Sequence, residues 1–561
     1  MPGPRRSVLV LLVAVAAALV LPTLAHAQTP EAKVSVAGPT TPYLPNAVNE
    51  PALAIDANHP TVLAAGANDL VDSAPCNGSS CDLTPDIGIS GIYFSLNEGA
   101  TWVQPTYTGL TARSGTAQVG EIHTLPGYFE NGMSSHGDPA LAFGPKPGPG
   151  GFSWANGSRL YYANLAFPIP GRAPFTGASA AAVSRTDNVA AAAANDQRAW
   201  MDPVIVTRQN AALLSDKEDI WADNAASSPH FGNVYVCNTA FRSANFLPEP
   251  IMLSTSSDGG TTWRQRQLSA ATNNAQTGGR QGCAVRSDST GVVYVVWEGA
   301  DIHTRQSVFY LARSFDGGNN FERPRAIANV VDVGVFDPVS GRIVFDGLAG
   351  TRTDSFPSLG VANGAPTGAG ATNTLVLTWT DARAGLNHEQ ALVQTSTNQG
   401  LTWSAPANAA EAADRPDNPA VAISPTGSDL YLVYDAFLQP FQTTTANPRR
   451  MQGVVRHANL AGGTVGAFTT LHRAAVGDAR GTTRTLNREA VYDYNYAAAT
   501  RTYGAVVWMD VRDAADCPAV DAYRQSLIDG TPIAAPAPLT DCPAQFGNND
   551  IYGGTYLDPT P

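Results

Sequence analysis

The sequence has few charged side chains. Only 14% of its 561 residues are Asp, Glu, Lys or Arg, whereas about 25% is usual for a soluble domain. Its 34 basic residues are outnumbered by 47 acidic ones, which gives a formal net charge of −13. Proteins that bind DNA or RNA carry a basic surface, so this balance argues against a nucleic-acid partner.

Metal-binding motifs and long apolar runs are missing too. No CxxC or HExxH motif occurs, so we predict no metal site and no cofactor. The longest apolar run covers residues 7–21, which is short of the roughly 20 residues that a membrane-spanning helix needs. We therefore expect no membrane span.

The same apolar run has the flanks of an export signal. Arg5 and Arg6 precede it, and the small-x-small sequence Ala-His-Ala at residues 25–27 follows it. This arrangement predicts a cleaved signal peptide over residues 1–27. The mature chain would then cover residues 28–561 and be secreted or extracytoplasmic.

The six cysteines fall into three local pairs. Export leads to an oxidising compartment, where cysteines form disulfides. Six cysteines allow 15 pairings, and proximity along the chain favours three bonds. These are Cys76 with Cys81, Cys237 with Cys283, and Cys517 with Cys542.

Four copies of one short pattern, S-x-[DN]-x-G-x-[TN]-[WF], recur along the chain. The Asp or Asn folds onto nearby backbone N–H groups, and the Gly supplies a positive φ, as a β-hairpin turn requires. The final Trp or Phe is expected to be buried between sheets. The copies lie at residues 95–102, 256–263, 314–321 and 396–403.

A second, longer periodicity sets the number of repeats. Seven segments begin with a polar residue, continue with Pro or a small residue, and then alternate apolar positions before a second apolar strand. They are residues 49–54, 137–142, 217–221, 281–285, 355–359, 417–421 and 487–491. Each repeat therefore has these two strands, a third strand that enters the hairpin turn and a fourth strand that leaves it. Together they make a four-stranded blade.

The repeats predict an all-β chain that forms a single β-propeller. Seven four-stranded blades fit best, with six as the alternative. Three repeats have degenerate turn positions, near Ser184, His457 and Tyr523. The ring must close to protect its edge strands, and either residues 31–37 or residues 549–556 would complete the last blade. The 52 glycines and 41 prolines suit a fold with many tight turns.

At the four S-x-[DN]-x-G repeats the chain resembles the sialidase-like β-propellers, in which this repeat is known as the Asp box or BNR repeat. The resemblance implies a glycoside hydrolase that acts on an extracellular carbohydrate in the central funnel. Sialidases hold the substrate carboxylate with three arginines and use a Tyr nucleophile, activated by a Glu, and an Asp as acid/base. The first arginine lies in an [FY]-R-[IL]-P motif. The nearest match here, residues 43–45, lacks the arginine, which argues against sialic acid as the substrate.

The starts of the first strands and the ends of the second strands share one face of such a ring, and polar residues recur at both positions. Carboxylates at the strand starts are our candidates for acid/base or nucleophilic roles, with Tyr492 or Tyr494 as a partner of Glu489. The catalytic candidates are Glu50, Asp138, Glu218, Asp219, Asp417 and Glu489. The substrate-binding candidates are Arg280, Arg488, Trp221, Asp381, Arg383, Asp510, Arg512 and Tyr552.

Purely structural roles for these residues, and other functions for the chain, compete with this interpretation. Asp381 with Arg383, and Asp510 with Arg512, lie in two W-x-D-x-R sequences, where the carboxylate could instead cap its turn and pair with the arginine. The whole chain could also be a non-catalytic propeller that binds glycan or protein, or a polysaccharide lyase. We expect a monomer in each case. Convergence of the carboxylates in one funnel would favour hydrolysis.

Overall fold

Seven antiparallel sheets surround a central axis in a computed structural model of the chain. The structure describes residues 1, 3, 29–36, 47–74, 84–207, 214–242, 248–270, 280–301, 303–347, 352–482, 486 and 493–559. The first strand of each sheet lies nearest the axis and contacts the first strands of neighbouring sheets. The predicted all-β propeller with seven blades is therefore confirmed, and the six-bladed alternative is wrong.

Six blades are built from strands that follow one another along the chain. From the axis outward, blades 1 to 3 contain Val48–Ile55, Leu63–Asp69 and Ser90–Ser95; Ala140–Gly148, Gly151–Pro168, Ala180–Thr186 and Trp200–Ile205; and Leu214–Ala222, Val234–Phe241, Ile251–Ser256 and Arg264–Gln267. Blades 4 to 6 contain Gln281–Ser287, Val293–Ala300, Ser307–Ser314 and Arg325–Asn329; Ser358–Val361, Leu375–Asp381, Gln390–Ser396 and Ala407–Asn408; and Arg415–Ile423, Asp429–Phe437, Arg450–Ala461 and Thr469–Arg473. A bridge between Phe94 and Val103 stands for the outer strand of blade 1.

The remaining elements decorate this ring. Short strands at Met133–Ser135, Thr464–Val465 and Gly477–Asp478 pair with blades 2 and 6, and two hairpins are formed by Tyr107–Thr111 with Gln118–Ile122 and by Val335–Asp337 with Arg342–Val344. The described helices are Val189–Ala193, Pro518–Ile528 and Pro538–Asp541, with 3-10 turns at Leu70–Asp72, Gln197–Ala199 and Ala479–Gly481. None of the described helices is long and apolar enough to cross a membrane.

Blade 7 joins the two ends of the described chain. Its strands from the axis outward are Tyr496–Ala499, Tyr503–Asp510, Asp550–Leu557 and Thr29–Lys33. Both segments proposed for closure therefore belong to it, one as the third strand and one as the outermost strand. The repeat pattern predicted a degenerate hairpin turn near Tyr523. That prediction is wrong, because Tyr523 lies in a helix of the long insertion between the second and third strands. The inner strand begins at Tyr496, and the predicted start at residues 487–491 lies outside the described residues.

The four S-x-[DN]-x-G segments form turns with one hydrogen-bond pattern. In the second copy the Ser256 hydroxyl donates to Asp258 at 2.8 Å, and the Gly260 N–H donates back to Ser256 at 2.9 Å. Asp258 also accepts from the Thr262 N–H at 2.9 Å. Gly260 has φ of 83°, a left-handed value that favours glycine. These turns connect the third and fourth strands, so they mark one end of the ring, here called the turn face.

The inner strands begin at the opposite end, here called the funnel face, and most of them begin with a bulge. Their pairing with the second strand shifts register between Asn49 and Ala52 in blade 1, and at the same position in blades 3, 4 and 6. The residue at each of these four bulges is left-handed: Glu50, Lys217, Gly282 and Asn418 have φ between 49° and 60°. Asp138, just before the inner strand of blade 2, is left-handed as well, with φ of 52°. Non-glycine residues in this conformation are strained by about 1–3 kcal/mol, and such positions cluster at functional sites.

Apolar side chains between neighbouring blades form the core. Trp297, Trp379 and Trp508 are among the largest fully buried side chains. Trp379 in blade 5 meets Phe309 of blade 4 edge to face, with ring centroids 5.4 Å apart, which is a favourable aromatic geometry. The blades are thereby held by packing as well as by closure.

Two of the three predicted disulfides are confirmed. Cys237 in the second strand of blade 3 is bonded to Cys283 in the inner strand of blade 4. Cys517 and Cys542 bracket the helical insertion of blade 7 and are bonded to each other. Cys76 and Cys81 lie outside the described residues, as does the predicted signal peptide apart from residues 1 and 3.

Candidate active site

The starts of the inner strands surround a small cavity at the funnel face, here called the funnel chamber. Its volume is about 70 Å³. Its wall carries several ionisable side chains contributed by three blades: Lys217 and Glu218 of blade 3, Asp354 before blade 5, and Asp493 and Tyr494 before blade 7. Phe356 and Pro357 complete part of the wall.

Asp493 is the ionised carboxylate in this wall. Its carboxylate is bonded to the Lys217 ammonium and to the Arg352 guanidinium, whose Nε donates at 2.8 Å. Burial raises the pKa of Asp493, but the two cations outweigh burial and hold the pKa below its usual value. Asp493 therefore carries a negative charge and neutralises part of the positive charge beside it.

Glu50 and Tyr494 form a pair at the edge of the chamber. Glu50 accepts from the Asn68 side chain at 2.7 Å and from the Asp493 N–H at 3.2 Å. The Tyr494 hydroxyl lies 3.5 Å from Oε2 of Glu50. Burial raises the pKa of Glu50, and the nearby Asp493 charge adds to the rise. The Glu50 carboxylate is accordingly a stronger base than an exposed glutamate.

A layer of carboxyl groups lies behind the chamber wall. Asp138 shares hydrogen bonds with both Glu50 and Asp216, and its N–H donates to Asn68 at 2.7 Å. Burial raises the pKa of Asp138 to about 7 and that of Asp216 to about 7. Carboxyl groups in contact cannot all be ionised, so this layer holds protons at neutral pH.

Two further carboxyl groups line the chamber itself. Burial, together with the nearby charge of Asp493, raises the pKa of Asp354 to about 7. Burial also raises the pKa of Glu218 far above its usual value, with Asp138 and Asp216 contributing. The chamber thus has a strongly ionised carboxylate, Asp493, next to carboxyl groups that are protonated or titrate near neutral pH. Paired environments of this kind separate acid from base roles in enzymes.

The floor of the chamber is shared with a larger cavity along the axis, here called the axial channel, because Asp219, Arg286 and Tyr496 line both. The Tyr496 hydroxyl donates to Asp219 at 3.1 Å, and Arg286 donates to the other Asp219 oxygen at 2.6 Å. Trp221 lies beneath Arg286, with the guanidinium 5.0 Å from its ring centroid. The channel beyond has a volume of about 320 Å³. Asp219 and Trp221 therefore form the floor and the channel wall.

Other sequence candidates lie away from the chamber. Asp417 accepts from the Thr353 hydroxyl at 2.8 Å and does not line the chamber, and Arg280 is also absent from its wall. Arg488 and Glu489, with Tyr492, lie outside the described residues. Their predicted roles stay predictions.

The two W-x-D-x-R sequences are built as turns. Arg383 donates to Asp381 through Nε at 2.7 Å and Nη2 at 2.8 Å. Arg512 holds Asp510 in the same way, at 2.8 and 2.7 Å. The Tyr552 ring stacks under Arg512, 4.0 Å from the guanidinium. These five residues satisfy one another at the periphery, so the funnel chamber does not include them.

Asp493, Arg352 and Asp216 were not sequence candidates. Asp493 was missed because residues 487–491 fit the repeated start better than the true inner strand of blade 7. A signal existed in the Tyr494-Asn-Tyr496 alternation shortly before the strand that begins at Tyr503.

No family model and no curated protein matches this sequence. Among solved structures, a Trypanosoma rangeli sialidase in complex with the inhibitor DANA is 10% identical with a TM-score of 0.38, over 77% of this chain and 60% of that chain. An intramolecular trans-sialidase from Ruminococcus gnavus is 10% identical with a TM-score of 0.38, over 69% and 89%. A Penicillium chrysogenum alpha-L-arabinanase is 13% identical with a TM-score of 0.40, over 76% and 98%. This chain thus spans 60% of the length of the first sialidase, and identities this low do not indicate a shared activity.

Proposed function

We propose that the chain is a secreted glycoside hydrolase that cleaves an extracellular glycan in the funnel chamber. The observation that carries the proposal is the Tyr494 hydroxyl, which lies on the chamber wall 3.5 Å from the Glu50 carboxylate. A tyrosine next to a carboxylate base is an activated nucleophile. Hydrogen bonds of this kind are often long before substrate binds.

Each group has one task in the proposed reaction. The Tyr494 oxygen attacks the anomeric carbon while its proton passes to Glu50. Asp354 gives its proton to the leaving oxygen as the glycosidic bond breaks. Water then attacks the anomeric carbon, Asp354 takes the proton of that water, and Tyr494 departs and regains its own proton from Glu50.

The electrostatics of the chamber suit these tasks. Burial and neighbouring carboxyl groups raise the pKa of Tyr494 well above its usual value, so the phenol is not ionised in advance. It therefore needs a base that takes the proton during attack, and Glu50 is in position for that. A carboxyl group with a pKa near 7, as Asp354 has, is poised to both give and take a proton at neutral pH.

The test is a screen of the secreted chain against aryl glycosides and polysaccharides, followed by three variants. Tyr494→Phe and Glu50→Gln should lower kcat by about 100-fold or more. Asp354→Asn should slow substrates with alkyl leaving groups far more than aryl glycosides, whose leaving groups need no proton. Asp223→Asn is the matched control, because burial also raises the pKa of Asp223 to about 7 but it lies at the turn face. Equal losses in all four variants would contradict the proposal.

A non-catalytic carbohydrate-binding propeller is the second candidate. The raised pKa of Tyr494 disfavours attack by its oxygen, and this is the observation that favours simple binding. In that case oligosaccharides bind without turnover, and Tyr494→Phe leaves their affinity nearly unchanged. A lyase has less support, because the two cations nearest the chamber, Lys217 and Arg352, are both bonded to Asp493.

A further inference from the structure

Asp429, His457 and Asp558 form a cluster between blades 6 and 7 at the turn face, here called the interblade triad. Among the described residues, they are the one group of three His, Cys, Asp or Glu side chains whose ligand atoms all lie within 4.8 Å of one another. Oδ1 of Asp429 lies 3.4 Å from Nε2 of His457, and Oδ1 of Asp558 lies 3.9 Å from the same nitrogen. The triad is therefore at the opposite end of the ring from the funnel chamber.

Two strands of blade 6 hold Asp429 and His457 on one face of the sheet. Asp429 begins the second strand, and Tyr431 of that strand pairs with His457 of the third, so Asp429 and His457 are diagonal neighbours. The Tyr431 and His457 rings are in contact, with centroids 5.1 Å apart. Asp558 follows the third strand of blade 7. The side chains of Asp429 and His457 are only 12% and 3% exposed, whereas that of Asp558 is 22% exposed, so solvent reaches the triad from the Asp558 side.

The triad lies where blade 6 departs from the repeated S-x-[DN]-x-G turn. In blade 4 the first serine of that turn, Ser314, pairs with Val293, the residue before a tyrosine of the second strand. The equivalent pair in blade 6 is Ala458 with Leu430, so the serine that closes the turn is missing there. His457 directly precedes Ala458 and takes no part in such a turn. The repeated turn therefore does not account for the triad.

The distances within the triad suit a metal ion better than hydrogen bonds. N–H···O hydrogen bonds are usually about 2.7–3.2 Å long, and Nε2 of His457 is farther than that from both carboxylates. Zn²⁺ forms bonds of about 2.0–2.2 Å to nitrogen and oxygen, which place two ligand atoms of a tetrahedron about 3.3–3.6 Å apart. The separation of His457 from Asp429 lies in this range. Asp558 is the most exposed of the three, so its side chain has room to rotate toward the same point.

The ligand types favour Zn²⁺ over Ca²⁺. Imidazole nitrogen suits zinc, whereas Ca²⁺ takes six to eight oxygen ligands. Three protein ligands leave the fourth position of a zinc tetrahedron for water, which can enter beside Asp558. The Ser428 hydroxyl donates to Oδ2 of Asp429, so it orients that carboxylate and leaves Oδ1 for the ion. Outer partners of this kind are usual for the ligands of metal sites.

We propose that the interblade triad binds one Zn²⁺ ion, through Nε2 of His457 and one carboxylate oxygen each of Asp429 and Asp558. The ion joins blade 6 to the third strand of blade 7, which also pairs with the strand that closes the ring. The three ligands are far apart along the chain, so the lack of a CxxC or HExxH motif does not bear on this site. The inference is independent of the proposed function, because the two sites lie at opposite faces.

The experiment is calorimetric titration of the chain with zinc chloride after dialysis against a chelator. We expect one ion to bind per chain. Loss of an outer partner costs about 10- to 100-fold in metal affinity, so Ser428→Ala should weaken binding by about tenfold and His457→Ala, which removes a ligand, by about 100-fold or more. His472→Ala is the matched control, because His472 is also in blade 6 and contacts a carboxylate, that of Glu31 at 3.0 Å. It should leave the zinc affinity unchanged.

A second measurement covers the case in which His457→Ala does not fold. Asp558→Asn changes a partly exposed residue at the end of a strand, so this variant should fold. Because a ligand that binds only the folded state stabilises it, Zn²⁺ should raise the unfolding temperature of the parent and of His472→Ala, but much less that of Asp558→Asn. Failure of the parent to bind Zn²⁺ would overturn the inference, and the triad would then be a set of ion pairs between blades. Equal zinc affinity or equal stabilisation in the triad variants and the parent would overturn it too, as would tighter binding of Ca²⁺ than of Zn²⁺.

Discussion

The backbone N–H of Asp493 donates to Oε1 of Glu50 at 3.2 Å, although the two residues are 443 positions apart. The bond ties the start of blade 7 to the start of blade 1 at the funnel face. Glu50→Ala leaves this buried N–H without its acceptor, so we expect a loss of about 1–3 kcal/mol in the free energy of unfolding. Glu50→Gln retains an acceptor oxygen and should lose less. Urea denaturation measures both, with the exposed Glu130→Ala as a control that should change little.

Asp138 occupies a left-handed backbone position, with φ of 52°. Glycine adopts this conformation without strain, and the Asp138 N–H bond to Asn68 does not need a side chain. Asp138→Gly should therefore be more stable than Asp138→Ala by about 1 kcal/mol. Unfolding midpoints of the two variants give the difference directly. If alanine is as stable as glycine here, the left-handed backbone is not a source of strain.

Stability should fall as pH rises from about 4 to 7. Burial raises the pKa of Asp138 and of Asp216 to about 7 in the folded protein, so folding favours their protonated forms. Their contribution is fully present below the pKa of the unfolded chain and is lost as pH approaches 7, at up to about 1.4 kcal/mol per pH unit per group. Asp138→Asn should reduce this slope. Asp381→Asn should not, because hydrogen bonds from Arg383, Trp379 and backbone N–H groups together outweigh burial and lower the pKa of Asp381.

Arg512 should matter more for stability than Arg383, although both close a W-x-D-x-R turn. Arg512 also donates to Glu31 of the outermost blade 7 strand at 2.6 Å, so it fastens that strand to its neighbours. Replacement of Arg512 by alanine should cost about 1 kcal/mol more than the same change at Arg383. Thermal unfolding of the two variants and of Glu31→Gln would check this. Equal effects would mean that the contact with Glu31 adds no more than the bond that Arg383 donates to the Asn329 carbonyl.

The Cys237–Cys283 bond should stabilise the ring between blades 3 and 4. It closes a segment of 46 residues, for which the chain-entropy estimate is about 4 kcal/mol as an upper value. The double Ser variant should therefore unfold at lower urea concentration than the parent. The Cys517–Cys542 bond closes 25 residues, so its removal should cost less. If removal of the Cys517–Cys542 bond lowers the free energy of unfolding more, the helical insertion depends on its disulfide more than blades 3 and 4 depend on theirs.

The fold was predictable because its signals are local. Each S-x-[DN]-x-G turn is written in eight consecutive residues, and Ser256 and Asp258 need only each other and Gly260 to form it. The blade count followed from the same repeated signals. The Cys237–Cys283 pair followed from adjacent repeats on a common face.

The site was only partly predictable because its contacts are distant in sequence. Glu50, Asp138 and Glu218 were placed at the funnel face from their repeat positions. Asp493 was not, because its bond to Lys217 spans 276 residues and no local pattern marks it. The opposite error affected Asp381 and Asp510, whose repeat positions suggested a ring although each is satisfied by an arginine two residues away.

The pairing of Thr29–Lys33 with Asp550–Leu557 has a consequence for folding kinetics. The earliest and the latest described strands must meet, and the Tyr556 hydroxyl reaches the Pro30 carbonyl across 526 positions. Such a contact has a high loop-closure entropy, and folds dominated by distant pairings fold slowly. Blade 7 is therefore expected to form last. Until it does, the blades that have already folded keep an unpaired face at the gap in the ring.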